Sequence, residues 1–99
     1  MGWSNGGAYR SAGAMHELGQ HMAHVLPAGE WRAVQSLFRS AQWADGPFEI
    51  APADTRRMAA VFRAAAGHRL MPREWAVSAD ELAAVAEQHA TRGVPWEWR

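Results

Sequence analysis

The sequence predicts a single α+β domain over residues 1–99, mostly helical, with about four helices and two or three short strands. Three observations carry that prediction. Apolar residues recur at helical spacing in four stretches. The joints between those stretches are short and rich in Pro and Gly. The final residues, VPWEWR, alternate apolar and polar side chains with the period of a strand.

The elements follow in chain order. MGWSNGGAYR is rich in glycine and begins no helix; Trp3 and Tyr9 suit a short strand or a packed arm. Ser11 then opens a helical stretch whose apolar face is Met15, Leu18, Met22, Val25 and Leu26. Pro27 ends it. After a short joint a second helix runs through EWRAVQSLFRSAQW, burying Trp31, Val34, Leu37, Phe38 and Ala41, and the two form an αα-hairpin. Asp45-Gly46-Pro47 is turn chemistry, and Phe48 and Ile50 flank Glu49 as on a half-buried edge strand.

Pro52 suits the first turn of a third helix, with Asp54 near its positive end and Met58, Val61, Phe62 and Ala65 inward. Gly67 is its expected stop. Residues 68–77 read as a loop, broken by Pro72 and tucked down by Leu70, Met71 and Trp75. Ser78 and Glu81 match a capping box and predict the start of a fourth helix at that point. Leu82, Val85, Ala86 and His89 share its face, and Gly93 stops it. In the tail, Val94, Trp96 and Trp98 face one way and Glu97 and Arg99 the other. The expected partner is FEI or the N-terminal arm. The predicted core is Leu18, Met22, Val25, Trp31, Val34, Phe38, Met58, Phe62, Leu82 and Val85.

Composition narrows the function. Ten acidic and ten basic residues cancel, and every basic residue is Arg. A neutral chain lacks the net basic footprint of a strong non-specific nucleic-acid binder. The chain has no cysteine, which removes disulfides, thiolate catalysis and cysteine-ligated metals. No stretch approaches the roughly 18 apolar residues of a membrane span, and the N-terminus lacks the pattern of a signal peptide. The expected setting is the cytoplasm.

Few side chains group into chemistry. Glu17, His21 and His24 fall within about 60° of one helical face, a spacing that can present two imidazoles and a carboxylate to a divalent metal. The competing reading is a polar helix face with a Glu17–His21 pair. His16 lies off that face. His89 reads as a core histidine bonded through one nitrogen, and His68 as a helix-end cation. No serine sits in a nucleophile elbow and no phosphate loop is present. These absences predict a protein that is not an enzyme and uses no cofactor.

Arg56, Arg57 and Arg63 lie on the outer side of the third helix with Arg69 just beyond, a face able to meet phosphates or an acidic protein. The six tryptophans offer another surface. Trp96 and Trp98 either close the core of a small domain or anchor a partner, because Trp serves both purposes well.

MGW, HVLPAGEWR, PADTRRMAAVFRAAA and VPWEWR together resemble segments of a group of small proteins from actinobacteria and their phages with no assigned activity. That resemblance covers most of the chain and rests on packing and turn residues. It implies a small intracellular protein, and a phage or mobile-element source favours a stoichiometric binder.

The functional expectation is therefore a non-enzymatic protein-interaction module, an adaptor or an inhibitor, meeting a protein partner or a second copy of itself. Trp3, Tyr9, Trp96 and Trp98 are its expected aromatic contacts, with Glu97 and Arg99 at the rim. The alternatives are a nucleic-acid regulator acting through Arg56, Arg57, Arg63 and Arg69, and a metal-binding protein using Glu17, His21 and His24.

Overall fold

The computed structural model describes residues 2–4, 9–38 and 46–98, with side chains for all of these except 2–4, 9, 10 and 12. The expected end of the second helix, with Ala41, and the terminal Arg99 lie outside the described residues. The fold is α+β and mostly helical.

The chain opens with two short strands, β1 (Gly2–Ser4) and β2 (Tyr9–Ser11), paired antiparallel with Trp3 opposite Arg10. Helix α1 (Ala12–Val25) follows without a break. Ser11 is its N-cap, the hydroxyl accepting from the Ala14 N–H at 3.1 Å. Leu26 turns to extended backbone ahead of Pro27, as a residue before proline prefers, and the helix stops there. Helix α2 (Ala28–Val34) tightens at Gln35–Phe38 into a 3-10 turn. The two helices lie close: a Cβ added at Gly19 of α1 would come within 2.9 Å of the Phe38 ring.

Strand β3 (Phe48–Ile50) leads into α3 (Pro52–Ala66), which places its proline in the first turn as predicted. Thr55, fully buried, donates its hydroxyl to the carbonyls of Ala51 at 3.0 Å and Ile50 at 3.3 Å, tying strand to helix. Gly67 ends α3 with right-handed backbone, φ −83°, so a left-handed glycine is not what stops it.

Helix α4 (Arg73–Arg92) starts five residues before the expected Ser78. Pro72 supplies the N-cap position with its φ already fixed, and residues 73–77 continue the helix. Ser78 therefore caps nothing; its hydroxyl meets the Glu74 carbonyl one turn back at 3.4 Å. Gly93 ends α4 in the left-handed region, φ 69°, with its own N–H on the Ala90 carbonyl and that of Val94 on His89. His89 is half-buried, its Nδ1 2.9 Å from the Val85 carbonyl.

Among the described elements, α3 and α4 pack over the most extensive interface. Ala59, Ala79, Ala83, Ala86 and Ala90 are all buried, so small side chains let the helices approach. Strand β4 (Trp96–Trp98) then pairs antiparallel with β3, with Phe48 opposite Trp98, Glu49 opposite Glu97 and Ile50 opposite Trp96. The strands form two separate ribbons instead of one small sheet.

Trp96 and Trp98 are both 0% exposed. Their rings meet edge to face at 5.0 Å; Trp98 stacks on Phe48 at 6.2 Å, and Trp96 meets Phe62 at 6.3 Å. Of the predicted core, Leu18, Met22, Val34, Met58, Phe62 and Leu82 are buried, and Val25, Trp31, Phe38 and Val85 pack against them half-buried. Met71 is tucked in as expected, whereas Leu70 is 61% exposed.

Candidate interaction site

A cleft of about 400 Å³ lies beside β3. It touches Phe48, Glu49 and Ile50 but no residue of β4, so it sits on the side of β3 away from its partner strand. One wall is Arg32, Ala33, Ser36 and Leu37, from α2 and the 3-10 turn. The other is Ala51, Asp54, Arg57 and Met58, from the start of α3. Local geometry sets this arrangement. Arg32 and Ser36 are one helical turn apart and both exposed, while Leu37 turns inward. Asp54 and Arg57 are likewise a turn apart on the outside of α3, with Met58 on the floor.

Four charged side chains thus line one cleft: Arg32 and Arg57, Glu49 and Asp54. None of them forms an ion pair with a described residue. Beneath them the floor is apolar, formed by Leu37, Phe48, Ile50 and Met58. No histidine lines the cleft. A second, shallower depression of about 250 Å³ spans the ribbon and is lined by Pro47, Phe48, Glu49, Glu97 and Trp98. It meets the first at Phe48 and Glu49. Here two exposed glutamates, Glu49 and Glu97, stand directly opposite each other on adjacent strands.

Arg63 has the opposite surroundings. Its guanidinium bridges from α3 to α4, donating to Glu87 at 2.7 and 3.2 Å and to Asp80 at 2.9 Å. The hydrogen bonds to Glu87 and then Asp80 raise the Arg63 pKa above its already high value. The bond from Arg63 holds the Glu87 carboxyl below its usual range, against a smaller opposing effect of burial.

The predicted Arg face is therefore divided. Arg63 is engaged, Arg56 reaches the Ala90 carbonyl at 3.4 Å, Arg57 faces the cleft, and Arg69 lies exposed in the α3–α4 turn. The metal reading is not met: among the described residues no three His, Cys, Asp or Glu side chains come together to hold an ion. Glu17 and His24 are exposed, while His21 is drawn aside to stack on Trp75 of α4 at 5.5 Å. As aromatic anchors Trp96 and Trp98 are corrected: packing against Phe48 and Phe62 leaves neither ring any surface to offer. Glu97 does face out. The side chains of Trp3 and Tyr9, and Arg99 altogether, lie outside the described residues.

Residues 3–99 match a domain of unknown function, DUF7739. The chain belongs to that family. No curated protein and no solved structure matches it. Among the described residues of this DUF7739 chain, no helix is long and apolar enough to cross a membrane.

Sequence reasoning singled out Arg57 and Glu97 but not Arg32, Glu49 or Asp54 as site residues. These three belong to α2, β3 and α3, and nothing in their local spacing announces that the fold gathers them. The one usable signal was the segment FEIAPAD, where a half-buried strand runs directly into a helix start and fixes Glu49 near Asp54.

Proposed function

We propose that this DUF7739 chain is a non-enzymatic protein-interaction module, an adaptor or stoichiometric inhibitor, that holds a partner in the cleft beside β3. One observation carries the reading. Four exposed charges of both signs line an apolar-floored cleft, and none is paired with a described residue. Charge-lined, apolar-floored depressions gain specificity from the rim and affinity from the floor. The proposal includes a cytoplasmic setting and the actinobacterial or phage source that the resemblance implies, where a small inhibitor of a host protein fits well.

The test is a pull-down from lysate of the source cells with the wild-type chain and the double variant R32E/R57E. A protein retained by the first and lost by the second, at equal melting temperature, supports the reading. Equal retention by both, or no protein above background, sinks it. Sedimentation velocity on the isolated chain separates a foreign partner from a second copy.

A further inference from the structure

We infer that the cleft beside β3 also takes a free α-amino acid with an apolar side chain. The charges decide the class of ligand. Arg32 on α2 and Arg57 on α3 supply two guanidinium groups; Glu49 on β3 and Asp54 on α3 supply two carboxylates. All four are exposed, and none is paired with a described residue. A lone anion would meet both carboxylates as well as the arginines, and a lone cation the reverse, so neither is matched. The match is a molecule that carries both signs close together, because the cleft holds only about 400 Å³, a volume typical of small-molecule sites. An internal polypeptide segment has its α-amine and α-carboxylate tied up in amide bonds and must draw both signs from side chains. A free amino acid keeps both on one carbon, ionised at neutral pH.

The rest of the lining assigns the remaining groups. The ligand carboxylate goes to Arg32 and Arg57, which bind such a group through paired hydrogen bonds, with the exposed Ser36 hydroxyl one turn from Arg32 on the same wall. The ammonium goes to Glu49 and Asp54. The floor of Phe48, Ile50 and Met58 is apolar and takes an aliphatic or aromatic side chain out of water. A protein partner calls on the same four charges, so amino acid and partner exclude each other; this last point rests on the reading above.

The experiment is an amide chemical-shift titration of the isotope-labelled chain. The probes are leucine and phenylalanine, each beside its N-acetyl form, which lacks the ammonium, and its amide, which lacks the carboxylate. The expected result is that a free amino acid shifts amides of residues 32–37 and 48–58. It should bind about tenfold tighter than both of its blocked forms. R32A/R57A and E49Q/D54N, which alter only exposed side chains, should each remove that advantage and leave the rest of the spectrum unchanged. Blocked forms that bind as well as the free amino acid, binding that both variants leave intact, or no shift with any probe overturns the inference. Each of these leaves the protein site to the pull-down, where R32E/R57E decides it. Repeating the pull-down with the amino acid added tests the exclusion. A protein still retained at saturation overturns that part alone, and if no protein is retained without it, the exclusion falls with the reading it rests on.

Discussion

The two ends of helix α3 treat charge differently. Near its C-terminal end Arg63 is enclosed by Asp80 and Glu87 and holds α4 in place. At its N-terminal end Arg57 and Asp54, a single turn apart, share a cleft with Arg32 and Glu49 and remain unpaired with any described residue. The same residue types thus serve the fold at one end and are left available at the other. A guanidinium facing a second helix meets carboxylates fixed at the right register; one facing an open cleft meets solvent until something enters. Local sequence spacing does not distinguish these fates, because the partner of each arginine is set by tertiary packing.

That contrast predicts which substitutions harm the fold and which harm only recognition. The largest effect belongs to the packed side. Trp96→Ala should cost about 3–5 kcal/mol, enough to unfold a marginal domain, as read by urea denaturation. Next comes the joint behind the cleft wall. Gly19→Ala, a gain in an isolated helix, should instead cost about 1–3 kcal/mol, because its methyl group meets the Phe38 ring. A melt unchanged or raised would show that Phe38 yields freely.

Smaller still is the Arg63 clamp, whose members are about half exposed, so solvent screens it. The Glu87 carboxyl is depressed in the folded state, so its contribution is present above the ordinary pKa of 4.5 and is lost as pH falls through the lower folded value. The melting difference between wild type and Glu87→Gln should therefore be present at neutral pH and vanish in acid. It should also shrink with added salt. The smallest effect on the fold belongs to the open side. R32E/R57E should leave stability within about 0.5 kcal/mol per site of wild type in the same denaturation while removing the partner. A variant that keeps its stability and loses binding would mark the cleft charges as kept for recognition.

Much of the fold was legible because its signals are local. Ser11 caps α1, Pro52 opens α3, Gly93 ends α4 with positive φ, and the period-two tail pairs with FEI. The misreadings came where two local signals competed or where none existed. Pro72 and the Ser78–Glu81 box both mark helix starts, and the proline prevailed because nothing in residues 73–77 resists a helix. Leu70, read as tucked in, stays outside because its neighbour Met71 takes the inward position of that turn. The histidine face of α1 dissolved because Trp75 offers His21 a stacking surface that its helical spacing could not reveal. The site itself was the least legible part, since its walls come from three segments joined only by the folded chain.

The position of the β3–β4 ribbon has a consequence for the order of folding. Ile50 and Trp96 pair across 46 residues (96 minus 50), a separation that by itself would make the ribbon slow to form. Yet β3 runs straight into α3, and β4 follows α4 after a short turn. Once the α3–α4 hairpin docks, the strands arrive side by side with little chain entropy left to lose. The ribbon and its tryptophans should therefore lock an already assembled hairpin. In stopped-flow measurements, Ala83→Gly in the helical seam should slow folding, whereas Trp98→Phe should chiefly hasten unfolding.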